Sequence, residues 1–170
     1  QRIAMTDHDI TQSSVRRWTS LSPSCGNGVV VCPTASGAIV AVEPGTPSLL
    51  WGYRYVRSRS AAQSRPVFTP FPTNQDGSPE WIDGHLVLSK DRVLATPPDS
   101  DEIHCLNLLD GTVVWKRPRG GDLYLAAVQG DNVVLVGARE VRALSLETGQ
   151  PSWAGRRLAL PEGSVPSGQG

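Results

Sequence analysis

Three tryptophans close three segments that align without a gap, at residues 39–51, 103–115 and 141–153. In each, a small residue (Ala41, Cys105 or Ala143) stands ten positions before the tryptophan (Trp51, Trp115 or Trp153). A β-branched residue lies two before the small one (Ile39, Ile103, Val141), and an aliphatic follows it (Val42, Leu106, Leu144). A repeat of this kind constrains the fold more than composition does, because each copy must be the same supersecondary unit and must bury its apolar surface against its neighbours. Upstream, Asn27-Gly28, Asp91-Arg92 and Asp131-Asn132 each place a turn signal before a β-branched or aliphatic run. One further candidate strand precedes each turn, at 18–24, 85–89 and 123–129. The unit therefore reads as four short antiparallel strands, the last ending near the tryptophan.

From Trp115 to Trp153 the interval is about 40 residues, the period of a four-stranded propeller blade. The interval from Trp51 to Trp115 is longer by about 25, and residues 56–80, rich in Ser, Arg and Pro without apolar periodicity, read as an inserted loop. No stretch shows an apolar stripe at helical spacing with caps at both ends; residues 53–65 lack Pro and Gly but have no apolar face. With 17 glycines, 14 prolines and only 39% hydrophobic residues, the chain is rich in turns. The expectation is an all-β, partial β-propeller of three four-stranded antiparallel blades at about 18–55, 82–118 and 122–155, with 160–170 approaching a further blade. Three blades do not close a ring, so the remaining blades of a parent chain are expected partners, and a start without Met reads as a piece cut from a longer protein.

Sixteen basic and sixteen acidic side chains cancel, which lowers the weight of nucleic acid or an anionic membrane as partner. No apolar run is long enough for a membrane span, and the first residues lack the layout of a secretion signal. Cys25, Cys32 and Cys105 are too few for a disulfide framework and wrongly spaced for zinc. If Asn27-Gly28 form a two-residue loop, Cys25 faces Val30 and is not the cross-strand partner of Cys32.

The pattern small-x-Asp-x-x-Thr-Gly-x-x-x-Trp resembles the docking motif that closes each blade in the pyrroloquinoline-quinone-type (PQQ-like) propeller repeat. The third unit is nearest, with Ala143, Ser145 at the Asp position, Thr148, Gly149 and Trp153; the second has Cys105, Asn107, Asp110, Gly111 and Trp115. The first has Ala41, Glu43, Thr46, Pro47 and Trp51, where proline replaces the turn glycine and Gly45 is the candidate substitute. The resemblance covers 18–155 and implies blade-docking roles for Ala41, Trp51, Cys105, Gly111, Trp115, Ala143, Thr148, Gly149 and Trp153. An indole buries about 150–250 Å², enough to join adjacent blades; an aromatic ligand platform is the competing reading, which the regular spacing makes unnecessary.

In the family's dehydrogenases a quinone and a calcium ion sit over the central channel, held by carboxylate and amide oxygens. Glu43, Asn107 and Ser145 occupy one position per blade and could suggest such a ring, but they read as turn-capping side chains. No vicinal cysteine pair is present, so neither quinone nor calcium is expected here unless the chain is a fragment of a quinone-dependent dehydrogenase. Asp7-His8-Asp9 is the densest titratable cluster and reads as a solvated loop, since strand neighbours point to opposite faces. His85 is isolated, and His104, sharing its repeat position with Val40 and Arg142, reads as a tolerant, partly exposed site. Tyr53-Arg54-Tyr55 with Arg57 and Arg59 is the one candidate anionic-partner platform, and a charged edge strand explains it as well. Phe68, Phe71 and Trp81 would serve a small-ligand or carbohydrate-binding propeller. The resemblance implies most directly a non-catalytic scaffold that presents a protein-interaction surface, as in the outer-membrane assembly lipoproteins sharing this repeat, and hence a periplasmic setting.

Overall fold

The computed structural model describes residues 22–34, 36–57 and 84–164. Their twelve strands form three four-stranded antiparallel sheets, each a simple meander, so the chain is all-β with the architecture of a partial propeller. The first sheet holds β1 (Ser24–Gly26), β2 (Val29–Thr34), β3 (Ala38–Glu43) and β4 (Ser48–Arg54). The second holds β5 (Leu86–Ser89), β6 (Arg92–Ala95), β7 (Glu102–Asn107) and β8 (Val113–Pro118). The third holds β9 (Asp122–Gln129), β10 (Asn132–Gly137), β11 (Glu140–Ser145) and β12 (Leu158–Ala159). Residues 7–9 and most of the 56–80 insertion, with Phe68, Phe71 and Trp81, lie outside the described residues.

Strand alternation decides which surface each blade turns to which neighbour. In β6, Val93 and Ala95 join Val29, Val31, Ile39, Ala41 and Trp51 in the core between the first two blades. Leu94, between them, joins Ile103, Cys105, Trp115, Leu125, Val133, Leu135, Leu144 and Leu146 in the core between the second and third. Both faces of the second sheet are thus buried, which is why its central strands read as nearly continuous apolar runs.

The turns are set by residues that tolerate left-handed backbone. Asn27 and Gly28 have φ of 51° and 76° and form the two-residue loop that sets Cys25 opposite Val30. Cys25, Cys32 and Cys105 are all free thiols. The turns from the third to the fourth strand of the second and third blades use Gly111 and Gly149, with φ of 71° and 66°. In the first blade Gly45 does not supply the missing left-handed residue: with Pro47 at the glycine position, residues 44–47 turn without any positive φ. A second departure concerns the third blade. Its outer strand does not end at Trp153 but is β12, and Trp153 stands in a short 3-10 turn, Trp153–Gly155.

A Cβ placed on Gly111 would lie 2.6 Å from the Trp51 ring, and one on Gly149 would lie 2.6 Å from the Trp115 ring. Gly130 has a similar φ of 59° but open space around its Cα. Gly130→Ala should therefore cost about 1 kcal/mol, for the left-handed backbone alone. Gly111→Ala, which must also displace a buried indole, should cost on the order of 3 kcal/mol or more. Urea denaturation of both variants checks this, and equal losses would disprove the ring contact.

Candidate functional site at the junction of the first two blades

Period-two alternation continues past Trp51, so that Trp51, Tyr53, Tyr55 and Arg57 all turn toward the second blade while Gly52, Arg54 and Val56 are exposed. The indole Nε1 of Trp51 donates to the Leu108 carbonyl at 2.8 Å. Two residues on, the Tyr53 hydroxyl lies 3.0 Å from His104 Nδ1. Two further on, the Tyr55 hydroxyl donates to Asp99 Oδ1 at 2.8 Å, and Arg57 Nε pairs with Asp99 Oδ2 at 2.6 Å. A single strand and its extension therefore zip onto the next blade at four successive inward positions.

His104 is the centre of this junction. Its Nε2 lies 2.9 Å from Ser100 Oγ, which also accepts the Glu102 backbone N–H at 3.2 Å. The rings of Tyr53 and Tyr55 close over it, with centroids 5.7 and 5.4 Å away. His104 is wholly buried, contrary to the partly exposed site expected from its repeat position. The covering tyrosines come from the neighbouring blade, so comparison of equivalent positions within the repeat does not reveal them. Burial pushes the His104 pKa down to about 4, with Lys116 adding to the effect and Glu102 and Asp99 opposing it. Burial and then the nearby Asp99 carboxylate push the Tyr55 phenol well above its usual range. At neutral pH the junction therefore holds an uncharged imidazole and uncharged phenols beside the Arg57–Asp99 ion pair.

The contact of Ser100 with His104 has the heavy-atom distance of a nucleophile and its base. Ser100 is 1% exposed and His104 0% exposed, however, so a reacting group has no path to either among the described residues. The cluster is a clamp between blades. Tyr53 and Tyr55, the aromatics expected of an anionic-partner platform, are half-buried and belong to this clamp.

At the second junction the same positions carry different chemistry. Trp115 Nε1 donates to the Leu146 carbonyl at 2.7 Å, and Arg117 Nε donates to the Gly149 carbonyl at 2.9 Å. Arg142, the repeat equivalent of His104, grips the buried Asp122 carboxylate through Nε at 3.0 and 3.1 Å and Nη2 at 2.5 Å.

Ala41 and Cys105 are fully buried directly opposite Trp51 and Trp115 in the ladder. The Cys105 thiol is pushed up to about 12 by burial. Ala143 is buried and its carbonyl accepts the Ser152 N–H at 2.8 Å. Thr148 Oγ1 accepts the Gln150 N–H at 3.3 Å beside Gly149. Trp153 is half-buried, and among the described residues no following sheet meets its indole. Glu43, Asn107 and Ser145 each bond within their own turn, to Thr46 Oγ1, Leu109 N and Thr148 N respectively, and do not converge. Among the described residues no cluster of His, Cys, Asp and Glu is placed to hold a metal, and no helix is long and apolar enough to cross a membrane.

Because the unfolded chain takes up a proton on its histidine near pH 6.5 while folded His104 resists it down to about 4, stability should fall as pH drops through that window. The expected contribution is about 2 kcal/mol between pH 7 and pH 5. His104→Gln should be less stable at pH 7 yet lose that part of the slope, as read from urea midpoints at the two pH values. An unchanged slope would remove His104 as its source.

Comparison with known proteins adds a family. Residues 73–167 match the family model described as outer membrane protein assembly factor BamB. Among solved structures, BamB from Moraxella catarrhalis matches at 23% identity and a TM-score of 0.50, covering 74% of this chain and 32% of that one. A europium-containing methanol dehydrogenase matches at 17% identity and 0.54, covering 77% and 23%. The quinohemoprotein alcohol dehydrogenase from Comamonas testosteroni matches at 18% identity and 0.55, covering 83% and 21%. This chain thus spans a third or less of the length of each, and the likeness to them is one of fold. No curated protein matches it.

Proposed function

Because this chain belongs to the family of PQQ-like propellers described as outer membrane protein assembly factor BamB, we propose that it acts as a non-catalytic scaffold presenting a protein-interaction surface. The observation that carries the reading is what the outer strands leave uncovered. Leu49 and Leu50 on β4, Val113 and Val114 on β8, and Leu109 in the preceding turn are all exposed, Leu109 by 73%. Exposed aliphatic residues grouped on blade rims suit a protein partner better than a small polar substrate. The side chains with reactive potential are meanwhile engaged: Ser100 and His104 with each other beneath Tyr53 of the first blade, and Asp122 with Arg142 inside the third. The family's description makes the extracytoplasmic side of an outer-membrane-bearing envelope the compartment we propose.

A second reading, a fragment of a quinone-dependent dehydrogenase, is favoured by the fold likeness to the two dehydrogenases. Titration of the full chain with pyrroloquinoline quinone and calcium, following tryptophan emission and dye-coupled alcohol oxidation, separates the two. The scaffold reading expects no saturable quenching and no turnover; saturable binding with turnover would defeat it. Leu50→Asp with Val114→Asp should leave the unfolding free energy read from urea titration within about 0.5 kcal/mol while abolishing capture of envelope proteins by the immobilised chain. Retained capture would move the surface elsewhere.

A further inference from the structure

The polar half of the first junction encloses an imidazole with no anion left to balance a proton. His104 is fully buried, and each of its nitrogens meets a hydroxyl, Tyr53 Oη at 3.0 Å and Ser100 Oγ at 2.9 Å. A neutral ring donates at one nitrogen and accepts at the other, which two hydroxyls satisfy. An imidazolium donates at both and brings a charge that neutral hydroxyls do not cancel. The two carboxylates that act on the ring, Glu102 and Asp99, are already committed. Glu102, on the same strand, takes Lys116 at 3.1 Å, while Asp99 takes Arg57 at 2.6 Å and the Tyr55 hydroxyl at 2.8 Å. In the ladder His104 stands between Lys116 of β8, a further cation, and Ala95 of β6, which has no charge.

The same junction has a second half without titratable groups. Trp51 donates to Leu108 O at 2.8 Å and packs in a buried core running from Val29 and Val31 to Leu106 and Leu108, none of it ionisable. The polar half hangs on the end of β4. Tyr55 and Arg57 lie beyond its last residue, Arg54; there Tyr55 N–H donates to Gly37 O at 3.0 Å, Val56 is exposed and Arg57 is half-exposed. Such a strand end opens more readily than the ladder behind it. We propose that this half is an acid-released latch, in which protonation of His104 detaches Tyr53, Tyr55 and Arg57 from the second blade while Trp51 stays docked.

Enclosure fixes the direction of the response. A histidine in water titrates near 6.5, whereas burial holds His104 down at about 4. The open state therefore takes up the proton first: the closed state has its full advantage at neutral pH and loses it as pH falls through the window between those two values. From pH 7 to pH 5 the ratio of open to closed molecules should rise about 20-fold. Opening uncovers Ser100 and His104 and frees the two tyrosine rings that cover them, so the chain presents a different surface in acid. The second junction has no counterpart, because Arg142 stands where His104 does and keeps its charge throughout. The latch is independent of the scaffold reading.

Hydrogen exchange in the full chain, followed by nuclear magnetic resonance and corrected for the pH dependence of intrinsic exchange, tests it. Protection of the Tyr55 amide should fall about 20-fold between pH 7 and pH 5, while the Trp51 indole N–H in the same junction keeps its protection. His104→Gln, which hydrogen-bonds without titrating, should abolish the fall. In the parent, the His104 ring itself should titrate well below its ordinary value, a readout that needs no variant. An unchanged Tyr55 amide would overturn the latch. An equal loss at the Trp51 indole would overturn it too, because the blades would then part as a whole. A fall that persists in His104→Gln would pass the trigger to Asp99 and overturn the role of His104. A ring that titrates at its ordinary value would overturn the enclosure on which release depends.

Discussion

The structure depends on one contact made twice: an indole at the outer strand of one blade laid against the turn of the next. The ring fills the space that a side chain on Gly111 or Gly149 would need, and the indole N–H donates to a backbone carbonyl of that turn, Leu108 or Leu146. The left-handed glycine bends the turn out of the way and removes the Cβ, so one residue serves both backbone and packing. The small residue opposite the tryptophan completes the arrangement, since Ala41 and Cys105 leave the ladder room for the ring.

Around that shared contact the two junctions are specialised by the residues C-terminal to each tryptophan. Tyr53 and Tyr55 continue the first strand with aromatic hydroxyls, which seal an uncharged His104 and Ser100 from water. Arg117 and Arg119 continue the second, and the equivalent of His104 becomes Arg142, held to the buried Asp122. Pairing a half-buried guanidinium with a buried carboxylate costs desolvation, which three hydrogen bonds offset. The first junction has a guanidinium–carboxylate pair too, Arg57 with the buried Asp99, but it also depends on a neutral imidazole, which makes it the acid-sensitive one.

For the proposed function, the consequence is that polar chemistry lies inside the blade stack and aliphatic surface outside it. Among the described residues the buried polar side chains bond one another, whereas Leu49, Leu50, Val113 and Val114 are exposed on the outermost strands of their sheets.

How much of this was legible in the sequence varies by residue. The repeat determined the all-β blade of four strands and the inward Trp51 and Trp115, because strand alternation is a local property of the pattern. Asn27-Gly28 likewise determined its turn and the Cys25–Val30 register. The burial of His104 could not be read, because Tyr53 and Tyr55 that cover it belong to another blade; the one signal was that Trp51, Tyr53, Tyr55 and Arg57 share a strand face. The displacement of Trp153 could not be read either, since its motif is the most complete of the three. Only tertiary structure decided these points, because the residues that cover a side chain or seat an indole belong to a neighbouring blade and lie outside the segment that carries the motif.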